Sequence, residues 1–297
     1  MYSIHARERE VRSLVTLAGS GTGVLETTSV KRLPIWIPPL DEQVGITCRL
    51  DDASRQVDLL ERLIVKKQAI KQGMMQQLLT GRTRLPGFDD VWRQIRLRDA
   101  GTTYGGLTGK EKNDFDEGAA SFVTFMDVMA SARLSAPRLE RVRVRVGERQ
   151  NQVQRGDVLF NGSSETPDEV ALAAVVDFEP SPTTYLNSFC FGYRLKDARL
   201  INPMYLAYFI RSGGGRELVA SLAQGAIRYN IAKTKLLEVR PLLPPVDEQR
   251  AIVAVVCDAE AEIDALNLRL AKCRAIKIGM MQQLLSGRVR LPVEAVS

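Results

Sequence analysis

Two long stretches of the chain repeat apolar residues at alternating steps of four and three. The first contains Ile46, Leu50, Ala53, Val57, Leu60 and Ile64, and the second contains Ile252, Val256, Ala259, Ile263, Leu266 and Leu270. This spacing is typical of a coiled-coil seam, with polar residues on the other helix faces. The pattern therefore predicts two long helices, each with an apolar seam that needs a partner.

Both predicted helices have clear start and stop signals. A Pro-Pro pair and then Asp-Glu open each stretch, so the helices should begin near Asp41 and Asp247. Gly81 and Gly287 follow the last apolar residues and predict the ends. At about 1.5 Å per residue, roughly 40 residues would form a rod about 60 Å long.

The two stretches are copies of one sequence element. Residues 38–86 align with residues 244–292 at a constant offset of 206, and 26 of the 49 aligned positions are identical. This period exceeds the roughly 20–50 residues of a solenoid repeat. We interpret the chain as two copies of a helical element separated by a different domain. The periodicity alone leaves open a coiled coil that serves only for dimerisation.

Both copies end in nearly the same sequence, IK.GMMQQLL(T/S)GR.RLP. The apolar residues there cover more of the helix surface than one seam requires. We therefore predict that a second protein docks on Met74, Met75, Leu78, Leu79, Met280, Met281, Leu284 and Leu285.

The segment between the copies has a different pattern. From 93 to about 243, short apolar runs are bounded by Gly, Asn, Asp and Pro clusters, which predicts a β-rich domain. Helices are predicted at 203–210, closed by the glycines 213–215, and at 216–223. Within this segment, Arg141, Arg143 and Arg145 alternate with valines, so a strand would place them on one face. That face could follow DNA phosphates or simply be solvated.

Composition narrows the possible functions. The net charge of +6 and the pI of about 9.2 are compatible with a polyanionic partner, although many basic proteins bind no nucleic acid. No apolar run approaches the roughly 18 residues of a membrane span, and the N-terminus lacks a signal-peptide pattern. We therefore expect a cytoplasmic location and no membrane partner.

The cysteines and the single histidine do not predict a metal site. Cys48, Cys190, Cys257 and Cys273 are scattered without a C-x-x-C pair, and His5 is the only imidazole. We interpret the cysteines as small core or seam residues in a reducing compartment, rather than as zinc ligands.

The glycine-rich segment 101–110 contains hydroxyl groups and a terminal lysine. It does not match a phosphate-binding P-loop, because Lys110 is followed by Glu111 instead of Ser or Thr. We predict a flexible loop in which Thr103, Tyr104 and Lys110 approach DNA.

Two further polar segments carry groups that could bind base edges. Asn161, Ser163, Ser164, Glu165 and Thr166 follow a predicted strand, although a hydrogen-bonded turn explains them better from chemistry alone. The second segment combines a charge, a ring and an amide in Arg228, Tyr229 and Asn230. Among these candidates, we predict that Arg228 is the most important single residue for DNA recognition.

The sequence does not predict a catalytic centre. Asn202-Pro-Met-Tyr205 resembles the N-P-P-Y motif of amino-methyltransferases, but its third residue differs and the chain has no F-x-G-x-G cofactor motif. Asn202 and Pro203 suit the N-cap and first position of a helix equally well. We expect that this chain is not an enzyme.

The PP(L/V)DEQ opening and GMMQQLL(T/S)GR.RLP ending of both copies resemble the repeats of the specificity subunit of type I restriction-modification enzymes. Segment 101–110, NGSSETPDE and YLNSFCFGYR resemble one class of recognition domain in that family. This resemblance favours base contact over a simple turn for Asn161, Ser163, Ser164, Glu165 and Thr166. The resemblance covers nearly the whole chain. It implies an α+β fold with one β-rich globular target-recognition domain between two long helices packed as an antiparallel coiled coil.

The resemblance also implies four segments. Residues 1–37 would be the remnant of a lost first recognition domain, and residues 38–86 the first long helix. Residues 87–243 would form the DNA target-recognition domain, and residues 244–297 the second long helix.

A member of this family would bind a specific DNA sequence and direct methyltransferase and restriction endonuclease subunits to it. S-adenosylmethionine, magnesium and ATP would belong to those partners, and this chain would hold no cofactor. One recognition domain binds only half of a split target, so a second copy or another half-length specificity chain is a further expected partner. The alternative is a degenerate helical adaptor that occupies methyltransferase subunits without binding DNA.

Overall fold

The computed structural model describes residues 12–17, 23–25, 28, 31–32, 36–225 and 228–292. It has an α+β fold in which two long helices flank a sheet-rich body along the sequence. The predicted α+β class is therefore confirmed. Most of the predicted remnant 1–37, including His5, lies outside the described residues, as do residues 293–297.

The helices, in chain order, are α1 (Leu40–Leu79), α2 (Leu97–Ala100), α3 (Phe125–Ala130), α4 (Pro203–Arg211), α5 (Gly213–Ala220), α6 (Lys233–Glu238) and α7 (Val246–Leu284). The first seven strands are β1 (Val15–Leu17), β2 (Gly23–Leu25), β3 (Arg93–Gln94), β4 (Gly101–Gly105), β5 (Phe115–Val123), β6 (Arg133–Leu134) and β7 (Glu140–Val142). The others are β8 (Val158–Asn161), β9 (Ser163–Ser164), β10 (Ala173–Val176), β11 (Thr184–Leu186), β12 (Cys190–Leu195), β13 (Tyr229–Asn230) and β14 (Leu242–Leu243).

The chain forms two compact units. The first combines residues up to 69 with residues from 259 onward, and the second comprises residues 70–258. The segment boundaries implied by the resemblance are a different division and stay a prediction.

The signals at the ends of the long helices act as predicted. Helix α1 begins one residue before Asp41, and α7 begins one residue before Asp247. Past each helix end, Gly81 and Gly287 have φ angles of 71° and 73°. This left-handed conformation is readily accessible to glycine and terminates a helix.

In the first unit, the predicted seam residues of the two helices are buried together. Val57, Leu60 and Ile64 of α1 form one apolar cluster with Ile263 and Leu270 of α7. Polar contacts flank this cluster. Lys67 pairs with Glu262 at 2.7 Å, and Glu61 pairs with Arg274 at 2.6 Å. From the first pair to the second, residue numbers fall along α1, from Lys67 to Glu61, and rise along α7, from Glu262 to Arg274. These segments are therefore antiparallel.

The second unit is built on a five-stranded sheet of order β4-β12-β8-β10-β6, in which only β6 and β10 are parallel. A smaller sheet places β5 between β11 and β7. Two short ribbons, β9 with β13 and β3 with β14, join segments that are distant in the sequence. The β-rich pattern predicted for this segment is therefore confirmed.

Helix α4 packs in the core of the second unit. Its first turn is capped by Asn202, whose Oδ1 accepts hydrogen bonds from the amides of Met204 and Tyr205 at 2.9 and 3.1 Å. Asn202 thus acts as the predicted N-cap. At the other end, Arg211 donates to the carbonyl oxygens of Val128 and Ala173. Burial and the nearby Arg216 charge lower the pKa of Arg211 to about 10.

The prediction that glycines 213–215 close a helix is wrong. These glycines begin α5. Ser212 caps α5 by accepting a hydrogen bond from the amide of Gly215 at 3.4 Å. A Cβ atom at Gly215 would lie 1.9 Å from the carbonyl oxygen of Phe209. Gly215 therefore allows α5 to start directly against the end of α4, and the sequence pattern alone did not indicate this approach.

The Arg-Val alternation holds for only part of the predicted strand. Val142 is buried and Arg141 and Arg143 are exposed, but β7 ends at Val142 and Val146 is fully exposed. The chain turns after Arg145, so the last valine leaves the core face. Arg143 also forms an ion pair with Glu117.

Candidate nucleic-acid interface

The β9–β13 ribbon brings together the two polar segments predicted to bind bases. Its strands are antiparallel, with Ser164 opposite Tyr229 and Ser163 opposite Asn230. Each strand has only two residues, but reciprocal backbone hydrogen bonds between Asn230 and Gln224, at 2.8 and 2.9 Å, extend the pairing. The ribbon therefore joins residues near 164 and near 229 at one place.

A third segment joins this ribbon through Gly162. The amide of Gly162 donates to the carbonyl of Phe189 at 2.8 Å, and its carbonyl accepts from the amide of Ile231 at 3.1 Å. A Cβ atom at Gly162 would lie 3.0 Å from that Phe189 carbonyl oxygen, so a side chain there would be tight. The turn before β12 is thus fixed against both polar segments.

Several polar side chains at this place remain accessible. Glu165, Thr166, Arg228 and Asn230 are exposed, whereas Tyr229 is half-buried against the core. The Arg228 guanidinium lies 5.7 Å from the centroid of the Phe189 ring, and Phe189 is itself 57% exposed. We call the exposed group Glu165, Thr166, Phe189, Arg228 and Asn230 the polar tip.

Three of the predicted base-contacting residues are buried instead. Asn161 is 0% exposed, and its Nδ2 donates to the carbonyls of Ser163 and Glu169 at 3.1 and 2.8 Å. Ser163 and Ser164 are buried by strand pairing, and Ser164 Oγ donates to the Glu169 carboxylate at 3.2 Å. Their burial contradicts the prediction that they contact DNA. These side chains hold the loop that carries Glu165 and Thr166.

Tyr104 is also committed to contacts within the body. Its hydroxyl donates to Asp157 at 2.6 Å, and Arg194 donates to the same carboxylate at 2.7 and 2.8 Å. The Arg194 guanidinium lies 5.1 Å from the Tyr104 ring centroid. Burial, followed by the Asp157 charge, raises the pKa of Tyr104 well above its ordinary value. The predicted DNA contact is therefore wrong for Tyr104.

Lys110 is likewise unavailable, because its side chain is only 4% exposed. Its ammonium group donates to Glu148 at 2.6 Å and to the carbonyl of Arg143 at 2.7 Å. The hydrogen bonds from Lys110, the Arg145 amide and Gln150 lower the pKa of Glu148 to about 2. The predicted flexible loop around Lys110 is thus a fixed part of the body.

Within the rest of the glycine-rich segment, Thr108 lies nearer the polar tip than the predicted Thr103. Thr103 lies in β4 opposite Tyr193 and is half-buried. Thr108, further along, lines an open cleft together with Phe189 and Asn230. The exposed Lys233 also lines this cleft. Sequence reasoning missed Phe189, Thr108 and Lys233; only the turn residues before Phe189 signalled that it could lie outside a strand.

The apolar residues predicted to dock a second protein are largely covered by the chain itself. Met75, Leu78 and Leu79 of α1 are buried in the core of the second unit, which also contains Ile252 and Val256 of α7. In the first unit, a cluster around Ile46 and Leu50 of α1 covers Leu284, with the partly buried Met280, Met281 and Leu285. The predicted docking surface is therefore wrong for the buried residues, and Met74 too is partly buried against the core.

An ion pair in the second unit explains part of this packing. Arg84 donates two hydrogen bonds to the fully buried carboxylate of Glu248, at 2.5 and 2.7 Å. Trp92 Nε1 donates to the same carboxylate at 3.2 Å, and the Trp92 ring covers Gly81. The end of the first copy is thereby fastened to the start of the second copy.

The first unit contains the reciprocal arrangement. Arg290 donates to both oxygens of Glu42 at 2.9 and 2.7 Å, and the amide of Leu291 donates to Glu42 at 3.2 Å. These hydrogen bonds lower the pKa of Glu42, with Arg290 the main cause. The Trp36 ring lies against Gly287 and 5.3 Å from the Arg290 guanidinium. We call the two arrangements the Glu248 clamp and the Glu42 clamp.

The described residues contain no group of three or more His, Cys, Asp and Glu side chains arranged to hold a metal ion. Cys190 is buried, which raises the pKa of its thiol to about 12, but Cys48 is exposed on α1. Its exposure contradicts the prediction that every cysteine is a core or seam residue. Within the described part of the chain, none of the helices is both long and apolar enough for a membrane span.

Comparison with known proteins gives no matching family model. Among solved structures, the chain is similar to the HsdS subunit from Thermoanaerobacter tengcongensis, with 19% identity and a TM-score of 0.53, over 97% of this chain and 70% of that one. It is also similar to the S subunit of a type I restriction-modification system from M. genitalium, with 12% identity and a TM-score of 0.53, over 96% of this chain and 71% of that one.

A third similar chain comes from a structural study of complex assembly and conformational transition of the type I R-M system. It has 20% identity and a TM-score of 0.58, over 96% of this chain and 69% of that one. Each of the three likenesses covers at least 96% of this chain. The chain therefore has the fold of the specificity subunits of type I restriction-modification systems.

Proposed function

We propose that the chain is a sequence-specific DNA-binding specificity subunit of a type I restriction-modification system. It directs methyltransferase and endonuclease subunits to the target and is not itself an enzyme. The shared fold and the motifs of both helical copies support this assignment. The observation that carries DNA binding is the β9–β13 ribbon, which gathers exposed donors and acceptors from distant segments at the polar tip.

The polar tip has the chemistry needed for direct base readout. Arg228 can donate two hydrogen bonds to guanine O6 and N7, and Asn230 can pair with adenine N6 and N7. Glu165 can accept a hydrogen bond from cytosine N4. Exposed cations beside the tip, such as Lys233, would contact phosphates, which position the protein without selecting a sequence. Residues 87–243 would form the target-recognition domain that presents this surface.

We assign α1 and α7 to an antiparallel coiled coil. The buried cluster formed by Val57, Leu60, Ile64, Ile263 and Leu270 supports this packing, because these residues occupy the seam positions of both copies. The flanking ion pairs run in antiparallel order.

The methyltransferase subunit would bind apolar residues of the first unit that the chain leaves open. Leu59 and Leu63 of α1 are one helical turn apart and both exposed, as is Leu268 of α7. S-adenosylmethionine, magnesium and ATP would be bound by the partner subunits. We expect Leu63→Asp to abolish capture of the methyltransferase, whereas Val146→Asp, at an exposed site in the other unit, should retain it.

A second copy of the chain, or another half-length specificity chain, would supply recognition of the other half of a split target. A two-fold pair of identical chains would then bind a palindromic target. Light scattering with and without the methyltransferase tests this pairing. A strict monomer in both conditions would refute it.

Selection from a random duplex DNA pool, in the presence of the methyltransferase, tests DNA recognition. The wild-type chain should enrich one sequence, and Arg228→Ala should lose that preference while keeping weak, salt-dependent binding. Arg199→Ala is the matched control, because Arg199 is an exposed arginine paired with Asp197 away from the polar tip. Assembly with the methyltransferase but no enrichment of any sequence would instead support the helical adaptor.

A further inference from the structure

We infer that Phe189 is a positioning residue for base recognition, whose exposed ring holds the Arg228 guanidinium in the plane needed to bind guanine. This inference rests on the proposed DNA-binding function and deepens it. The motivating observation is an aromatic ring at the surface, 57% exposed, with a cation 5.7 Å from its centroid.

The backbone around Phe189 is fixed from several sides. Its amide donates to Asn187 Oδ1 at 2.9 Å, and its carbonyl accepts from Gly162 at 2.8 Å. The amide of Cys190 donates to the carbonyl of Asn187 at 3.0 Å, which closes the turn. Because Gly162 directly precedes β9, the backbone of Phe189 has a defined position beside the loop that carries Glu165.

Core packing does not account for this ring. Phe191, two residues later, is buried and stacks on Phe160 with the ring centroids 5.3 Å apart. Phe189 belongs to none of the buried apolar clusters formed by the described residues. The Phe189 ring instead has the Arg228 guanidinium over it, 5.7 Å from the ring centroid.

Stacking against a ring suits an arginine that binds a base edge. A guanidinium that lies on an aromatic face keeps its hydrogen-bond donors free around the edge of its own plane. The contact also restricts a long side chain before DNA binds, so less conformational entropy is lost on recognition. Phe189 would thus strengthen discrimination at the base contacted by Arg228 without touching that base.

A double-mutant cycle with purified chain, methyltransferase and the selected duplex tests this role. At exposed sites a cation–π contact contributes about 2- to 5-fold in an equilibrium constant. We expect Phe189→Leu to weaken binding of the selected duplex by about that factor and to leave binding of random duplex unchanged. Phe189→Trp should retain wild-type affinity. In an Arg228→Ala background, Phe189→Leu should have no further effect.

Val146→Leu is the control, because Val146 is fully exposed outside the polar tip and should leave both affinities unchanged. Equal losses from Phe189→Leu with and without Arg228 would overturn the positioning role while leaving the proposed function intact. A wild-type chain that selects no sequence would overturn both. In the DNA-free protein, Arg228 side-chain protons should show a ring-current shift that Phe189→Leu removes, and absence of that shift would also overturn the inference.

Discussion

Replacing Tyr104 by phenylalanine should lower stability and leave DNA binding unchanged. The hydroxyl donates to the Asp157 carboxylate at 2.6 Å, and Asp157 is only 1% exposed. The same carboxylate also accepts hydrogen bonds from the amide of Gln154 at 2.8 Å and from two nitrogens of Arg194. The substitution therefore removes one donor from a buried anion that keeps three others.

The size of the effect follows from these contacts. A hydrogen bond to a charged group contributes about 1.5–3 kcal/mol. Because three donors to Asp157 remain, we expect the lower part of this range, about 1.5–2 kcal/mol. For a folding unit of about 150–250 residues, 1 kcal/mol shifts Tm by about 2–4 °C, so Tyr104→Phe should lower Tm by about 3–8 °C. Since the pKa of Tyr104 is raised, the effect should not depend on pH near neutrality.

Tyr205→Phe is the matched control, because it also removes one buried tyrosine oxygen. The Tyr205 hydroxyl has no hydrogen-bond partner within the part of the chain that the structure describes. Its removal should be neutral or slightly stabilising, since an unsatisfied buried group carries a desolvation cost. Thermal unfolding followed by circular dichroism measures both variants. If Tyr104→Phe kept the wild-type Tm and weakened target binding, its hydroxyl would contact DNA and our assignment would be refuted.

Three further predictions concern packing and charge. Leu79→Ala should destabilise the chain by about 2–5 kcal/mol in urea unfolding. Leu285→Ala, at the equivalent but only partly buried position, should destabilise it less. Equal small losses for the two variants would contradict the burial of Leu79. Glu148→Gln should lower Tm at pH 7, because the pKa of Glu148 is lowered to about 2 by Lys110. A carboxyl group whose pKa is lowered in the folded state stabilises the fold fully above about pH 4.5 and loses this effect as pH falls toward 2. The Tm difference between Glu148→Gln and wild type should therefore narrow at low pH. A constant Tm difference would argue against the Lys110–Glu148 pair. Gly106→Ala should impair folding, because its Cβ would lie 2.0 Å from a carbonyl oxygen, and a wild-type melting curve would show that the turn relaxes easily.

The long helices could be predicted because their signals are local. The Pro-Pro pairs, Asp41, Asp247, Gly81 and Gly287 each act on the turn of helix beside them, and the observed ends agree within a few residues. Of the predicted seam residues in the first unit, Val57, Leu60, Ile64, Ile263 and Leu270 are buried together, whereas Leu266 is only partly buried. The glycines 213–215 were misjudged because Gly215 allows two helices to approach, a requirement that depends on packing and not on local conformation.

The candidate site was predicted only in part because burial depends on distant partners. The sequence indicated that residues 161–166 and 228–230 are polar, but strand pairing between them decides that Ser163 and Ser164 are covered while Arg228 is open. Tyr104 and Lys110 looked accessible for a similar reason. Their partners Asp157 and Glu148 are 53 and 38 residues away.

The two clamps account for part of the similarity between the copies, namely the shared glutamate near each start and the shared arginine near each end. Glu42 and Glu248 are equivalent residues, as are Arg84 and Arg290, and each clamp joins the end of one copy to the start of the other. The tryptophans that complete the clamps are not equivalent, because Trp36 precedes its copy and Trp92 follows its copy. The same glutamate–arginine contact is therefore formed twice by equivalent residues. The tryptophan ring beside it comes from the segment after the first copy in one clamp and from the segment before the first copy in the other. Internal packing thus explains the shared pair of charges, but not the identical residues that are exposed in both copies, such as Gln76 and Gln282.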